Sequence, residues 1–454
     1  MGALACMLKA QGFEVSGSDH QVYPPISTLL KDNGIPVMEG FDASHISLDD
    51  DLVVVGNAVR SDNPEAVRMR ELELPYCSMP QAINHFAGHV SGCAAKKSLV
   101  ITGTHGKTTT SSLLAWILFC AGLDPTFIIG GILRNFDANF RTGGGPYMVL
   151  EGDEYDTAYF DKGPKFMHYD PAIAVVTSIE FDHADIFENE QAVHSAFEKF
   201  IQKLRADSIL LAFDQDPVIR RLTPTSRCHV YPYGLDAASP WRLGSYHITP
   251  PWTSFEILRQ NIVWAEFRTR MMGEHNLWNA VAAVAAAASL QIAVPDIAEA
   301  LKTFDGVKRR QEIRGCKNGV TVMDDFAHHP TAVRETIRAV RPFYPEGRII
   351  AVFEPRTNSS MRKVFQNDYP LSFDGADIVC IRKPPLLHKI PSEERFSSEQ
   401  LVNDLSARGI NARFFPDTDT IIAFLTAIAK PGDLILVMSN GGFDQIHQRL
   451  LTAL

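Results

Sequence analysis

Ile101-Thr-Gly-Thr-His-Gly-Lys-Thr-Thr-Thr110 is the stretch on which the architecture of this 454-residue chain turns. Before it runs Ser98–Thr102, apolar enough to be a buried strand, and after it a helix is expected over Thr108–Cys120. A glycine loop between strand and helix lets backbone N–H groups wrap an anion, with the partial positive charge of the helix N-terminus behind them. Gly103 and Gly106 supply the turn, and Thr104, His105 and Thr109 complete the loop. Lys107 is placed to reach the β- and γ-phosphates of ATP, and the Thr108 hydroxyl to hold Mg²⁺. A lone Gly-Lys-Thr could sit in an ordinary glycine turn, but the apolar strand ahead and the helix behind argue against that. Ile101 stands where the general G-x-x-x-x-G-K-[ST] pattern has its first glycine, so the loop is a shorter G-T-x-G-K-T-T form.

Working outward, strands alternate with helices on both sides, as in a doubly wound α/β fold. Upstream, strands are expected at Phe13–Gly17, Ile35–Glu39, Leu52–Gly56 and Tyr76–Met79. Downstream they are expected at Phe127–Gly130, Met148–Glu151, Ala172–Ser178 and Ile209–Ala212, then a β-rich stretch over Cys228–Met271 and helices after Asn276 and over Pro295–Phe304. A last series lies at Thr321–Met323, Arg348–Phe353, Ile378–Ile381 and Leu434–Met438, with Lys383–Ser392 a loop. Three domains are expected: a Rossmann-like 1–95, a central nucleotide-binding 96–308 and a Rossmann-like 309–454. Met1-Gly-Ala-Leu-Ala reads as the middle of a helix with no strand or glycine turn ahead, so the first domain is expected to be truncated or its start misassigned.

Composition narrows the classes. A chain 45% hydrophobic and 21% charged is an ordinary globular protein, without the roughly 18-residue apolar run of a membrane span. The net charge of −10 argues against nucleic acid as a partner, though not against a nucleotide held by backbone N–H groups. Seven scattered cysteines without a CxxC pair suit a reducing, cytoplasmic setting and no zinc site. The beginning of the chain has no basic region leading into a long apolar stretch, as a secretory signal would.

Other segments stand in a telling order: Glu151 closing a strand, Ser178-Ile-Glu-Phe-Asp-His183, Gly273-Glu-His-Asn-Leu-Trp-Asn279, Gly306-Val-Lys-Arg-Arg310 and Met323-Asp-Asp-Phe-Ala-His-His-Pro330. Glu151 and His183 follow strands and can gather with Thr108 at one sheet edge, a sensible oxygen-and-imidazole set for a partly hydrated Mg²⁺. Asn276 and Asn279 share a helix face, and Asn276 is equally eligible as an N-cap. His328 and His329, beside a proline and without a cysteine partner, suit substrate contact or capping.

Together with G-T-x-G-K-T-T these segments resemble the Mur ligases, and the resemblance spans nearly the whole chain. It implies an ATP-dependent carboxylate–amine ligase in which Lys107, Glu151 and His183 are catalytic. It further implies that Asn276 approaches the base, Asn279 shapes the phosphate region, Arg310 enters the ATP site and Asp325 holds the ribose. Several Mur ligases carry a carbamylated lysine about fifteen residues beyond the position of His183; this sequence has Glu198 there, with Lys199 beside it. Lys107→Ala is expected to abolish ligation and spare the fold.

Glu151-Gly-Asp-Glu-Tyr-Asp-Thr-Ala-Tyr-Phe-Asp-Lys162, Glu354-Pro-Arg-Thr-Asn358 and Ser439-Asn-Gly-Gly-Phe443 are similar to the family members that take a tripeptide. The implied substrates are UDP-N-acetylmuramate and the murein tripeptide L-Ala-γ-D-Glu-meso-diaminopimelate, joined in peptidoglycan recycling. Ser18, Asp19, Asn57 and Asn63 are candidates for the UDP part; His328, Arg356, Asn358, Ser439 and Asn440 are candidates for the acceptor, although Ser439–Gly442 is also a plausible plain turn. The alternatives are a ligase for L-alanine, or a nucleotide-binding relative inactive through a shortened first domain.

Overall fold

The computed structural model describes residues 1–22, 26–88, 95–182 and 186–454. It divides into two compact units, one of Met1–Ile179, Gln191–Trp241 and Ala282–Ala300, the other of Glu180–Glu190, Arg242–Val281 and Leu301–Leu454.

In the first unit the main sheet runs His229–Gly234, Ile209–Phe213, Ile173–Val176, Lys97–Thr102, Tyr147–Gly152, Thr126–Leu133, Ala138–Arg141. Every pairing is parallel except the last. Lys97–Thr102 lies in the middle, and Leu99, Val100, Ile101 and Thr102 are fully buried. That is why this strand reads as an unbroken apolar run: a parallel strand covered on both faces has no polar side to alternate with. Helix Lys107–Cys120 follows, burying Leu113, Leu114, Ile117 and Leu118.

The first ninety residues depart from expectation. Helix Gly2–Ala10 is present, but the short strands form two separate parallel pairs, Gly17–Asp19 with Val37–Glu39 and Val53–Val55 with Tyr76–Ser78. Each pair carries its own small core: Cys6, Leu30 and Ile35 for one; Val55, Met69 and Leu74 for the other. Three-residue strands with so few buried apolar groups do not need a continuous sheet to cover them.

The second unit contains the strands Trp241–Thr249 (its first residue belonging to the other unit), Trp252–Arg259 and Ile262–Thr269, the last two paired antiparallel, and a six-stranded sheet. That sheet runs Glu312–Lys317, Val320–Asp325, Leu434–Met438, Ile349–Phe353, Ile378–Arg382, Ala412–Phe415, antiparallel only at its first pairing. Ile349, Ala351 and Phe353 face helices Pro330–Val340 and Ser398–Ala407, through Val333, Ile337, Leu401 and Leu405. Ile350 and Val352 face Thr418–Ile428 and Ile446–Ala453, through Ile421, Leu425, Ile446 and Leu450. Two cores on one sheet make this part doubly wound, and ligand-binding loops belong at the carboxyl ends of its strands. The sequence reading missed the edge strands Glu312–Lys317 and Ala412–Phe415, both short and largely unburied.

Candidate active site

The glycine loop leaves the carboxyl end of Lys97–Thr102. Gly103 has φ +127° and Gly106, which caps the helix, has φ +81°. A Cβ at 103 would collide with Thr177 Oγ1 and the Ser178 backbone, so conformation and space both demand glycine. Those same neighbours strap the loop down. Thr104 N–H donates to Ser178 O at 2.8 Å, His105 N–H to Ser178 Oγ at 2.9 Å, and Thr177 Oγ1 to Thr102 O at 3.1 Å and to His105 O.

Lys107 and Thr108 open the helix with their side chains engaged. Lys107 Nζ donates to Gly103 O at 2.6 Å, to Thr104 O at 3.2 Å and to Glu154 Oε2 at 2.7 Å. Burial works to lower the ammonium's pKa, but Glu154, Asp153 and Glu151 outweigh it and hold the lysine above its ordinary value. Thr108 Oγ1 donates to Glu151 Oε1 at 2.9 Å, and Gly130 N–H to Glu151 Oε2 at 2.7 Å. Burial pushes the Glu151 carboxyl up, against the pull of Lys107, the Gly130 N–H and the Thr108 hydroxyl. Three expected residues, Lys107, Thr108 and Glu151, are thus one cluster. The sequence reading missed Glu154, although the acidic run Glu151-Gly-Asp-Glu154 held the signal. A hydroxyl and a carboxylate, both hard oxygen donors, at the end of this glycine loop are of the kind that suits Mg²⁺. His183 lies outside the described residues. Glu198 accepts from Gln202 at 3.3 Å, one turn along its own helix.

Helix Glu274–Ser289 begins before Asn276, so Asn276 is not its N-cap. Its Nδ2 instead donates to Met272 O at 2.9 Å and Gln311 Oε1 at 3.2 Å, while Asn279 Nδ2 donates to its Oδ1 at 3.2 Å. The expected shared face is therefore a bonded pair. Asp325 ends its strand and accepts from Gln311 N–H and Ala327 N–H, each at 2.8 Å. Burial raises its pKa, while Arg310 and those two N–H groups oppose the rise. Arg310 is exposed and lies over Phe326 at 4.9 Å. Arg309, given no role by the sequence reading, donates to the carbonyls of Ser439, Asn440 and Gly441 at 2.6, 3.3 and 2.7 Å and so pins that loop.

His329 is a cap: its Nδ1 accepts from Thr331 N–H at the start of Pro330–Val340, and it lies 3.6 Å from Glu180. His328 Nε2 stands 3.8 Å from Asp182. Glu180 and Asp182 thus meet the two histidines that follow Asp325.

Among the remaining candidates, Asn63 is the N-cap of Pro64–Glu71, and Ser18 Oγ donates to Glu65 Oε2. Asp19 accepts from Gln21 N–H at 3.4 Å, and Asn57 is exposed in a turn. Arg356 and Asn358 follow strand Ile349–Phe353, and Ser439 and Asn440 follow Leu434–Met438, at adjacent carboxyl ends of one sheet.

Comparison with known proteins agrees along the full chain. Three family descriptions match: Mur ligase family, catalytic domain, over 1–91; Mur ligase middle domain over 101–287; and Mur ligase, glutamate ligase domain, over 309–441. The chain is 38% identical over 455 residues to the UDP-N-acetylmuramate–L-alanyl-γ-D-glutamyl-meso-2,6-diaminoheptandioate ligase of Escherichia coli, covering 100% of this chain and 96% of that one. It is 34% identical to the UDP-N-acetylmuramate–L-alanine ligase of Desulforamulus reducens, covering 100% and 95%. Among solved structures, a murein peptide ligase from Psychrobacter arcticus superposes with a TM-score of 0.71 at 32% identity, covering 100% of this chain and 96% of that one.

Proposed function

The chain belongs to the Mur ligase family of ATP-dependent ligases, and from that membership we propose that it joins L-Ala-γ-D-Glu-meso-diaminopimelate to UDP-N-acetylmuramate through an acyl phosphate. The observation that carries the chemistry is the Lys107–Thr108–Glu151 cluster at the carboxyl end of the central strand. The choice of tripeptide rests on the full-length likeness to ligases of that specificity.

A carboxylate does not react with an amine at neutral pH. In the proposed reaction a muramyl carboxylate oxygen attacks the γ-phosphorus of ATP, and ADP leaves. The peptide amine, in its neutral form, then attacks the acyl carbon, phosphate leaves with the bonding pair and takes up one proton from the nitrogen, and an amide remains. Catalysis of the first step is mostly positioning and charge neutralisation. Lys107, held cationic by its acidic neighbours, neutralises the β- and γ-phosphates, and the N–H groups of Lys107 and Thr108 at the helix N-terminus orient them. Thr108 and Glu151, with His183 by family resemblance, would hold Mg²⁺, which supplies further neutralisation of the phosphates. Excluding water protects the acyl phosphate from hydrolysis.

In this reading residues 1–95 take the UDP part, 96–308 the ATP and 309–454 the amine, with Asn276, Asn279, Arg310 and Asp325 on the nucleotide and Arg356, Asn358, Ser439 and Asn440 on the acceptor. Asn63 and Ser18 are better read as supports of the first region than as ligand groups, since both already bond within it. The setting is peptidoglycan recycling in the cytoplasm, and no helix among the described residues is long and apolar enough to cross a membrane.

The test is stoichiometry. With MgATP, UDP-N-acetylmuramate and the tripeptide, one ADP and one phosphate should form for each UDP-N-acetylmuramoyl-tripeptide seen by mass spectrometry. Phosphate released without that product would contradict the reading. The likeness to L-alanine ligases keeps L-alanine as the second acceptor to be tried.

A further inference from the structure

Behind the acceptor candidates lies a buried charge network outside the proposed chemistry. Glu354, directly after strand Ile349–Phe353, is completely buried. Its Oε2 accepts from Arg382 Nη1, and its Oε1 from Ser439 Oγ at 2.7 Å. Arg382 ends the neighbouring strand Ile378–Arg382 and is only 8% exposed. Its Nη2 donates to Asp444 Oδ2 at 2.6 Å, and its guanidinium lies over the Phe443 ring at 5.3 Å. Asp444 also accepts from Thr418 Oγ1 at 2.7 Å.

Two further observations give this network a purpose. Phe443, Asp444 and Gln445 have φ of +44°, +47° and +57°, three successive non-glycine residues in the left-handed region. L-residues avoid that region, so the turn persists only because its surroundings hold it, and Arg382 grips its middle residue. Arg356, meanwhile, comes within 3.8 Å of Glu354 Oε1, beyond hydrogen-bond length, and its side chain is 32% exposed. Arg382 and Ser439 make the hydrogen bonds to the two Glu354 oxygens, while Arg356 is within ion-pair range of the same carboxylate without a hydrogen bond to it.

We propose that Arg382 is a positioning residue for the acceptor: by hydrogen-bonding Glu354 and gripping Asp444, it offsets the Glu354 charge, keeps Arg356 from hydrogen-bonding that carboxylate so that its guanidinium can receive a carboxylate of the incoming amine, and fixes the Ser439–Gln445 loop beside it. This rests on the acceptor assignment above. Without Arg382 the Glu354 carboxylate turns to Arg356 and neutralises it, and the left-handed turn relaxes.

The network makes an uncommon prediction about a pair of variants. Arg382→Met should raise the KM for the tripeptide about tenfold and leave the KM for MgATP within about twofold. Adding Glu354→Gln, which removes the competing carboxylate, should recover most of that loss, and Arg382→Lys should fall between. A purely structural role predicts that the second substitution adds damage. An unchanged tripeptide KM in Arg382→Met, an equal rise for MgATP, or no recovery in the double variant would overturn the proposal. Should Arg382→Met fail to fold, Asp444→Asn, at a half-exposed carboxylate, should still raise the tripeptide KM severalfold, and no change there would overturn it. If the wild-type enzyme takes L-alanine and not the tripeptide, the functional reading fails separately; the same comparison is then made with alanine, also a carboxylate-bearing amine.

Discussion

Glu154 alters what is expected of Lys107. Sequence alone predicts that Lys107→Ala silences the enzyme and spares the fold. The structure pairs Lys107 with Glu154 at 2.7 Å, with side chains 11% and 3% exposed. Removing one partner of a buried ion pair strands the other, at a cost of about 3–5 kcal/mol. Lys107→Ala should therefore abolish ligation and also lower the urea midpoint, while Lys107→Ala with Glu154→Gln should regain stability without activity. Equal midpoints for wild type and Lys107→Ala would contradict this pairing. Glu151 makes a second prediction at this scale. Its folded pKa lies above the ordinary glutamate value, so the native state keeps this proton to higher pH than the unfolded chain does. Its contribution to stability is then greatest at pH below the unfolded value and declines as pH rises toward the folded one. Glu151→Gln should flatten that part of the curve of unfolding free energy against pH; an unchanged slope would show that Glu151 is not raised.

At the scale of elements, the parts read correctly from sequence are those governed by local chemistry. An apolar run ending in G-T-x-G-K-T-T can hardly be anything but a covered strand, a loop and a helix, and Lys97–Thr102 and Lys107–Cys120 lie where they were expected. What escaped depended on partners distant in sequence. Nothing near Arg382 announces that it will meet Glu354 and Asp444, and nothing near Arg309 announces the carbonyls of 439–441. Asn276 is open to an N-cap reading in the sequence because the helix start cannot be fixed to the residue there, and a shift of three residues decides between a cap and a first-turn side chain. The loop itself is testable. Gly103→Ala forces a Cβ onto Thr177 Oγ1 and the Ser178 backbone at a φ that L-residues avoid. Binding of MgATP, followed by calorimetry, should fall at least about a hundredfold, roughly 2.7 kcal/mol. Affinity within about threefold of wild type would mean that the Ser178 strap is not needed to shape the loop.

At the scale of the whole molecule, the three matched regions span most of the chain in the order typical of one enzyme family, and the strands' carboxyl ends in both compact units carry the candidate residues. The family was legible in the sequence because its motifs are strung along the whole chain in order. The acceptor was less so, because specificity resides in loops such as 354–358 and 439–445 whose shape depends on buried charges behind them. The most direct measurement is phosphate release from MgATP with UDP-N-acetylmuramate, comparing L-Ala-γ-D-Glu-meso-diaminopimelate with L-alanine as acceptor. Release with the tripeptide and not with L-alanine is the expected result; release with L-alanine alone would contradict the assignment and move the enzyme to the alanine-adding branch of its family.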